Sequence, residues 1–529
     1  MNPTAFKKIW GLNAAGRYGA PGPPSPVSFR KEKSVSRKEQ LSPAEKKRRK
    51  GRTRLIWKTI LLAVLLVILL GMIWLASGGM EKLEQMGFWG NSPENSQEFQ
   101  EPEETPAPET EGGSSETGNY DKETALEEAE KLAVQYDYDG ALEILNSVKG
   151  ADQDADLSSR IAEYELQKTN LVPTSPQAVT HVFFHSLVVD PERGFAHPED
   201  PLTAGFCQWM TTVDEFNAML EQMYARGYVL VDLHDLAEKT TDANGAVHLT
   251  PKEILLPPGK IPFVLSLDDL SYYHSYDGRG IASKMVLDEE GKPTCEYITP
   301  EGETVTGSYD CVPLLDDFLE EHPDFSYKGA KGTIALTGYN GILGYRTDSD
   351  YKNRRDLSAD QAAWLEAHPD FDWEKECEEA KKVAEAIKAD GWNFASHTWG
   401  HIKVGEECSL ERLQTDTERW LQEVAPLIGG TDTIIFAHGQ DLAAWNEDYG
   451  ASAKVQYLQS KGFDFFCNVD STQYFVQMGD NYLRMGRRNL DGYRLWEAVY
   501  GGNDKLSDLF NASEVIDPKR PTDPALYAL

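Results

Sequence analysis

With 529 residues the chain exceeds one ordinary domain and has room for roughly two or three. Its formal net charge is −34, which argues against a nucleic-acid partner, because phosphate recognition needs clustered Lys and Arg. Six Cys without a CxxC pair are wrong for a structural zinc site and sparse for a disulfide scaffold. Buried thiols are the simpler reading, and the spacing leaves one or two disulfides open.

Residues 1–54 mix Pro, Gly, Ser and basic residues with few large apolar ones, the composition of a disordered cytoplasmic tail. Through residue 58 the chain holds 16 Lys and Arg against 3 Asp and Glu, which leaves about −47 for the remainder. Opposite charges on two parts of one chain predict two environments. Residues 55–77 predict a transmembrane helix. Within them 59–76 (TILLAVLLVILLGMIWLA) is uncharged, and about 20 helical residues cross a hydrocarbon core of ~30 Å. Trp57 and Trp74 lie near its ends, where aromatic rings favour the interface. The basic stretch 46–54 (KKRRKGRTR) sets the N-terminus inside and the body outside. A cleaved signal peptide would have a shorter leading segment and a shorter apolar run. The expected localisation is therefore the cell membrane, single-pass, with the body extracytoplasmic. Residues 78–119, rich in Glu, Pro, Ser and Thr, form an acidic linker too polar for a core.

Helical periodicity begins at 120 and ends near 172, with Leu126, Ala129, Leu132 and Ala133 at three- and four-residue steps, then Ala141, Leu142, Ile144 and Leu145. The break at 137–140 (DYDG) divides two helices, and a third follows around 158–168. The module is similar to one tetratricopeptide-type helix pair, short of the roughly three repeats a free-standing solenoid needs. Its apolar stripe serves internal packing or a protein partner. After Pro173, short apolar runs alternate with helical stretches. The runs are 181–184 (HVFF), 228–231 (YVLV), 262–267 (PFVLSL), 332–336 (GTIAL), 392–396 (WNFAS), 433–437 (TIIFA) and 463–467 (FDFFC). Helices are predicted over 213–226, 312–321, 374–390, 409–428 and 451–461, and insertions over 275–310 and 340–372. This alternation predicts a parallel sheet or a closed α/β barrel, whose reactive residues follow the strand ends.

Polar residues follow four of those runs: His185 after HVFF, Asp268 and Asp269 after PFVLSL, His397 and His401 after WNFAS, and His438, Gln440 and Asp441 after TIIFA. The four-residue spacing of His397 and His401 places both rings on one face if the segment is a helical turn, a spacing suited to one divalent ion. Two imidazoles and one carboxylate leave positions open, as a catalytic site requires. The adjacent carboxylates Asp268 and Asp269 allow one to bind the metal while the other acts as a base. A lone HxxxH or a lone Asp-Asp arises by chance; both directly after strand runs are harder to explain so.

These motifs resemble the polysaccharide deacetylases with the NodB-homology domain. SLDDLS at 266–271 is similar to that family's Asp-Asp signature, and His397-Thr398-Trp399-Gly400-His401 to its His-Ser/Thr-x-x-His signature. The segment 180–187 (THVFFHSL) is similar to the strand that opens a permuted branch. The resemblance spans about 177–500 and implies a distorted (β/α) barrel, placed here at 177–515. It implies Asp269, His397 and His401 as ligands of a divalent metal, zinc first, with Co2+, Mn2+ or Ni2+ compatible. It implies Asp268 as general base and His185 as the acid that protonates the departing amine. The implied activity is removal of N-acetyl groups from an extracytoplasmic polysaccharide, peptidoglycan or an N-acetylglucosamine polymer. An O-acetyl esterase of the same fold and a non-catalytic glycan-binding wall protein are the alternatives. Tyr272, Tyr273 and Trp399 are candidate sugar-stacking residues, and His438 a candidate substrate contact. Three departures stand out. Leu270 replaces the Gly expected after the Asp pair. Residues 436–441 (FAHGQD) lack the Pro and aromatic of the third signature. No Leu-x-His follows near the C-terminus, consistent with His185 in that role. Arg487 and Arg488 could supply an arginine that the third signature lacks, surface charge being the ordinary explanation.

Overall fold

The computed structural model describes residues 120–528. The tail at 1–54, the apolar run at 55–77 and the linker at 78–119 lie outside the described residues. Among those described, no helix is long and apolar enough to cross a membrane.

The N-terminal module is three helices: α1 (Lys122–Val134), α2 (Tyr138–Ser147) and α3 (Ala155–Thr169). Asp121, Asp137 and Asp154 cap them, each carboxylate accepting from a first-turn amide. Ala125, Ala129 and Ala133 of α1 let α2 approach closely, and Leu145, Leu157 and Tyr164 complete a small core of its own. Beyond that core, the Tyr136 hydroxyl donates to the Asp324 carbonyl at 2.7 Å, and Lys328 pairs with Asp137 at 3.2 Å.

Seven parallel strands among the described residues close a barrel in chain order: β1 (Thr180–Phe184), β2 (Ile261–Asp268), β3 (Thr333–Leu336), β4 (Asn393–Ser396), β5 (Thr433–Ile435), β6 (Phe465–Val469) and β7 (Leu483–Asn489). The ring shuts where Arg487 of β7 pairs with His181 of β1. Helices α4 (Pro201–Trp209), α5 (Val213–Ala225), α6 (Cys311–Glu321), α7 (Trp373–Ala389), α8 (Leu410–Glu423) and α9 (Ala453–Gln459) fall between or beside the strands. Period-two alternation sorts the side chains. On β2, Phe263, Leu265 and Leu267 pack outward under the helices, whereas Val264 joins the interior with Ala335, Ala395, Ile435, Cys467 and Met485. Ser266 and Asp268 continue that inward row.

The barrel strands match the predicted runs with one exchange. Tyr228–Leu230 forms a strand, but it pairs only with the start of β2, Tyr228 opposite Ile261. Further along the same edge β3 takes over, Thr333 opposite Ser266. One edge cannot hold both, so YVLV sits outside the ring. Its place is filled by β7 (LRMGRRN), absent from the predicted runs because three arginines interrupt it. All seven of its residues are buried. The surface-charge explanation for Arg487 and Arg488 therefore fails.

The helix predicted over 409–428 breaks at Val424 before Pro426, giving α8 and a short turn at Ala425–Ile428. The insertion at 275–310 contains a three-stranded antiparallel sheet, and that at 340–372 contains two short helices, Ser349–Asn353 and Ala359–Ala367. Ordered structure continues past 515: Arg520 forms a buried ion pair with Glu215, and Leu526 and Tyr527 join an apolar cluster with Phe206. All six cysteines are free thiols, and five are buried.

Candidate metal centre

At the C-terminal rim, β2 delivers Asp268 inward as the last residue of its alternation. The next residue leaves the strand: Asp269 has φ +60°, a left-handed conformation that Asp tolerates better than most. This kink sends two consecutive carboxylates in different directions. Leu270, where the family pattern has Gly, is fully buried in the core.

On β4, His397 carries on the inward row of Asn393 and Ala395. Its Nδ1 is 2.8 Å from the Ile435 carbonyl. A carbonyl only accepts, so Nδ1 holds the proton and Nε2 presents its lone pair to the site. The segment from His397 to His401 is a tight turn, contrary to the helical turn expected from the spacing. Thr398 and His401 both have positive φ, +64° and +50°. The turn is held from α8, where Asp416 accepts from the Trp399 and Gly400 amides at 2.7 and 2.9 Å. Strain of this kind persists only where the surroundings enforce it, and it concentrates at functional sites.

These two features bring Asp269, His397 and His401 together. One ligand atom from each lies within 4.8 Å of the others, and all three residues are buried. His401 Nε2 is 3.4 Å from Asp269 Oδ2, and the Tyr273 hydroxyl donates to the other Asp269 oxygen at 3.1 Å. Burial lowers the His401 pKa to about 4 against the opposing pull of Asp269. Burial alone would raise the Asp269 pKa, but His401, His397 and His185 hold it below its ordinary value. A neutral imidazole and an ionised carboxylate are the forms that ligate metal, and three N/O donors suit a catalytic divalent ion such as zinc.

Asp268 is held apart from this set. Arg487 reaches across the interior and donates to both its oxygens, at 2.6 and 3.0 Å. The guanidinium is 0% exposed, sits 4.1 Å from the Phe183 ring centroid, and donates also to Ser266 Oγ at 3.1 Å. Burial would push the Asp268 carboxyl up, but Arg487, with His397, keeps it well below the carboxylate range. Asp268 Oδ2 remains 3.9 Å from His397 Nε2.

A cavity of about 260 Å³ opens over this constellation, lined by His185, Asp268, His397, His401, Lys403 and His438 among others. His438, at φ +58°, packs its ring 4.2 Å from that of His401 and donates from Nε2 to the His401 carbonyl at 3.0 Å. Asp491 lines the same cavity; it is buried and accepts from Asn489 at 2.5 Å. Burial raises its carboxyl, and His185 is among the groups that pull it back.

Two candidate stacking residues are placed elsewhere. Tyr272 is in the core with its hydroxyl on Asp310 at 2.7 Å, away from the cavity. Trp399 points to the other side of the turn, under the Arg419 guanidinium at 3.4 Å and with its indole N–H on Glu423 at 3.0 Å. Asn489 and Asp491 were hidden, and Arg487 was singled out without its partner Asp268, because β7 did not read as a strand. Once that strand is known, its alternation 483, 485, 487, 489 points Arg487 and Asn489 inward.

No family model matches the chain, and no curated protein does. Among solved structures it is similar to the Streptococcus pyogenes deacetylase PplD in complex with acetate. The identity is 13%, over 66% of this chain and 100% of that one, with a TM-score of 0.32.

Proposed function

We propose that the chain is a metal-dependent hydrolase that removes N-acetyl groups from a glycan outside the cell. The observation that carries this is the separation of two roles within one buried cluster. Asp269, His397 and His401 form a donor set, while Arg487 occupies both oxygens of Asp268 and keeps it out of that set. A divalent ion held by the three donors supplies Lewis acidity, which lowers the pKa of water and polarises a carbonyl. Asp268, kept ionised by Arg487, takes the proton of the attacking water. His185, in the same cavity, gives a proton to the departing nitrogen, which an amide requires before its C–N bond breaks.

The tyrosine on Asp269 and the carbonyl on His397 Nδ1 fix the orientations of two donors, a support that metal sites commonly depend on. An O-acetyl esterase would use the same centre without needing an acid for an amine. Extracytoplasmic placement and a sugar substrate follow from the sequence reading of 55–77 and from the family resemblance.

The test is acetate release from N-acetylglucosamine oligomers by the purified chain, with and without chelator. The expected result is release that chelation abolishes and a divalent ion restores. Binding of the oligomers with no release under any metal would leave a glycan-binding protein instead.

A further inference from the structure

Three consecutive carbonyls lie between Asp269 and the tyrosine that donates to it, and the insertion at 340–372 holds all three. The Leu343 amide donates to the Leu270 carbonyl at 2.8 Å. The Arg346 guanidinium donates from Nη2 to the Tyr272 carbonyl at 2.8 Å and from Nη1 to the Ser271 carbonyl at 3.4 Å. Nη1 also reaches the Asn340 carbonyl, at 3.5 Å. Arg346 is 5% exposed, and each of these acceptors is a backbone oxygen.

The segment needs this hold. Asp269 and Tyr272 have positive φ, +60° and +46°. A bulky aromatic residue in that region is an outlier that only its surroundings maintain. The carbonyls between the two residues lie outside any strand or helix, and a buried carbonyl without a donor is destabilising. Arg346 is itself fixed. Its amide donates to Glu376 of α7 at 2.8 Å. The turn before it is tight: Gly341 has φ +94°, and a Cβ there would lie 2.0 Å from the Tyr345 carbonyl oxygen.

This hold ends on the donor set. The Tyr273 hydroxyl is 3.1 Å from Asp269 Oδ1 and 3.2 Å from Thr337 Oγ1, which is 3.0 Å from Ser271 Oγ. An ionised carboxylate only accepts, so the single tyrosine proton goes to Asp269. Thr337 then donates to the tyrosine oxygen, and Ser271 to Thr337. The chain of hydroxyls therefore runs one way, toward Asp269. The other oxygen of that carboxylate, Oδ2, faces His401 Nε2 at 3.4 Å. Where the Tyr273 hydroxyl stands thus decides how the carboxylate is turned toward the imidazoles.

We propose that Arg346 is a positioning residue for the metal centre, gripping the backbone from which the Tyr273 hydroxyl reaches Asp269. The proposal rests on the reading of Asp269, His397 and His401 as a metal donor set. Arg346 touches none of the three and acts on them through Tyr273. The insertion at 340–372 is then part of how the centre is built, with its arginine taking the place of any local pattern that could fix two left-handed residues in DLSY.

Zinc affinity of the metal-stripped full chain, measured by competition with a chromophoric chelator, tests this without turnover. Arg346→Gln and Tyr273→Phe are each expected to weaken it about tenfold, a loss usual for a group that orients a ligand. The double variant is expected to lose no more than either single, because both remove one support. A loss near the product, about a hundredfold, means two separate effects and overturns the proposal. The visible spectrum of the cobalt-loaded chain, which reports ligand geometry, is expected to change alike in the two single variants; a wild-type spectrum in Arg346→Gln overturns the proposal. Arg520→Gln is the control for a loosened fold, since it breaks the buried pair with Glu215 outside the centre. It is expected to lower the urea midpoint and keep zinc affinity, and an equal loss of zinc there overturns the proposal. Should Arg346→Gln not fold, Arg346→Lys, which keeps the charge but not the planar fork, takes its place with the same outcomes. A wild type that binds no zinc removes the donor-set reading itself, whereas zinc binding equal in wild type and Arg346→Gln removes this proposal alone.

Discussion

Replacing Arg487 with Met tests how the interior is held together. In the wild type the guanidinium satisfies both Asp268 oxygens and Ser266 Oγ with no solvent access. Met roughly preserves the volume but leaves the Asp268 carboxylate buried and unpaired. Breaking a buried pair by removing one partner costs about 3–5 kcal/mol. At roughly 2.1 cal/mol/K per residue, a domain of about 400 residues has an unfolding entropy near 0.8 kcal/mol/K, so the melting temperature should fall by about 4–6 °C. The double variant Arg487→Met/Asp268→Leu removes both charges and should recover most of that loss, since a buried ion pair replaced by apolar groups is often neutral or better. Arg487→Lys should not recover it, because an ammonium cannot reproduce the planar two-oxygen contact. Scanning calorimetry on the four proteins measures this. A single variant within about 0.5 kcal/mol of wild type, a change typical of surface positions, would refute the reasoning, as would a double variant no more stable than the single.

Three further outcomes are expected. His397→Ala and His401→Ala should each lower divalent-metal affinity by tenfold or more, read by metal content after dialysis, since each removes one of three donors. Tyr272→Phe should leave the KM for acetylated oligomers unchanged and cost about 1 kcal/mol of stability through its lost bond to Asp310; a raised KM would return Tyr272 to the substrate site. At the other end of the barrel His234 lies between Asp232 and Asp432, 2.9 Å from each. Burial opposes its charge, but the two carboxylates raise its pKa to about 10. Because the folded value is above the ordinary 6.5, this stabilisation is fully present below about pH 6.5 and is lost as pH rises toward 10. Urea midpoints across that window should fall with pH in the wild type and fall less steeply in His234→Gln.

Much of the centre was legible because a barrel obeys a positional rule. Each apolar run ended in the polar residues that line its rim, so His185, Asp268, Asp269, His397 and His401 could be singled out from strand ends alone. The four-residue spacing of the imidazoles was read as a helical turn. The geometry that brings them together is a left-handed turn held by Asp416, and nothing in HTWGH itself reveals that anchor. YVLV had the composition of a barrel strand but lost its edge of β2 to β3, a competition between segments about a hundred residues apart in sequence. LRMGRRN had the composition of a loop, yet it closes the ring.

What the sequence determined by itself was local: which runs are extended or helical, where the helical module begins, and which residues stand at strand ends. Those follow from periodicity and from the chemistry of neighbouring residues. Only the tertiary structure decided that Arg487 is buried, that it holds Asp268 out of the donor set, and that Tyr272 belongs to the core while Trp399 packs under Arg419 on the other side of the turn. The reason is physical. A buried charge is tolerable only beside its counter-charge, and here the two lie 219 positions apart, farther than any local pattern can reach.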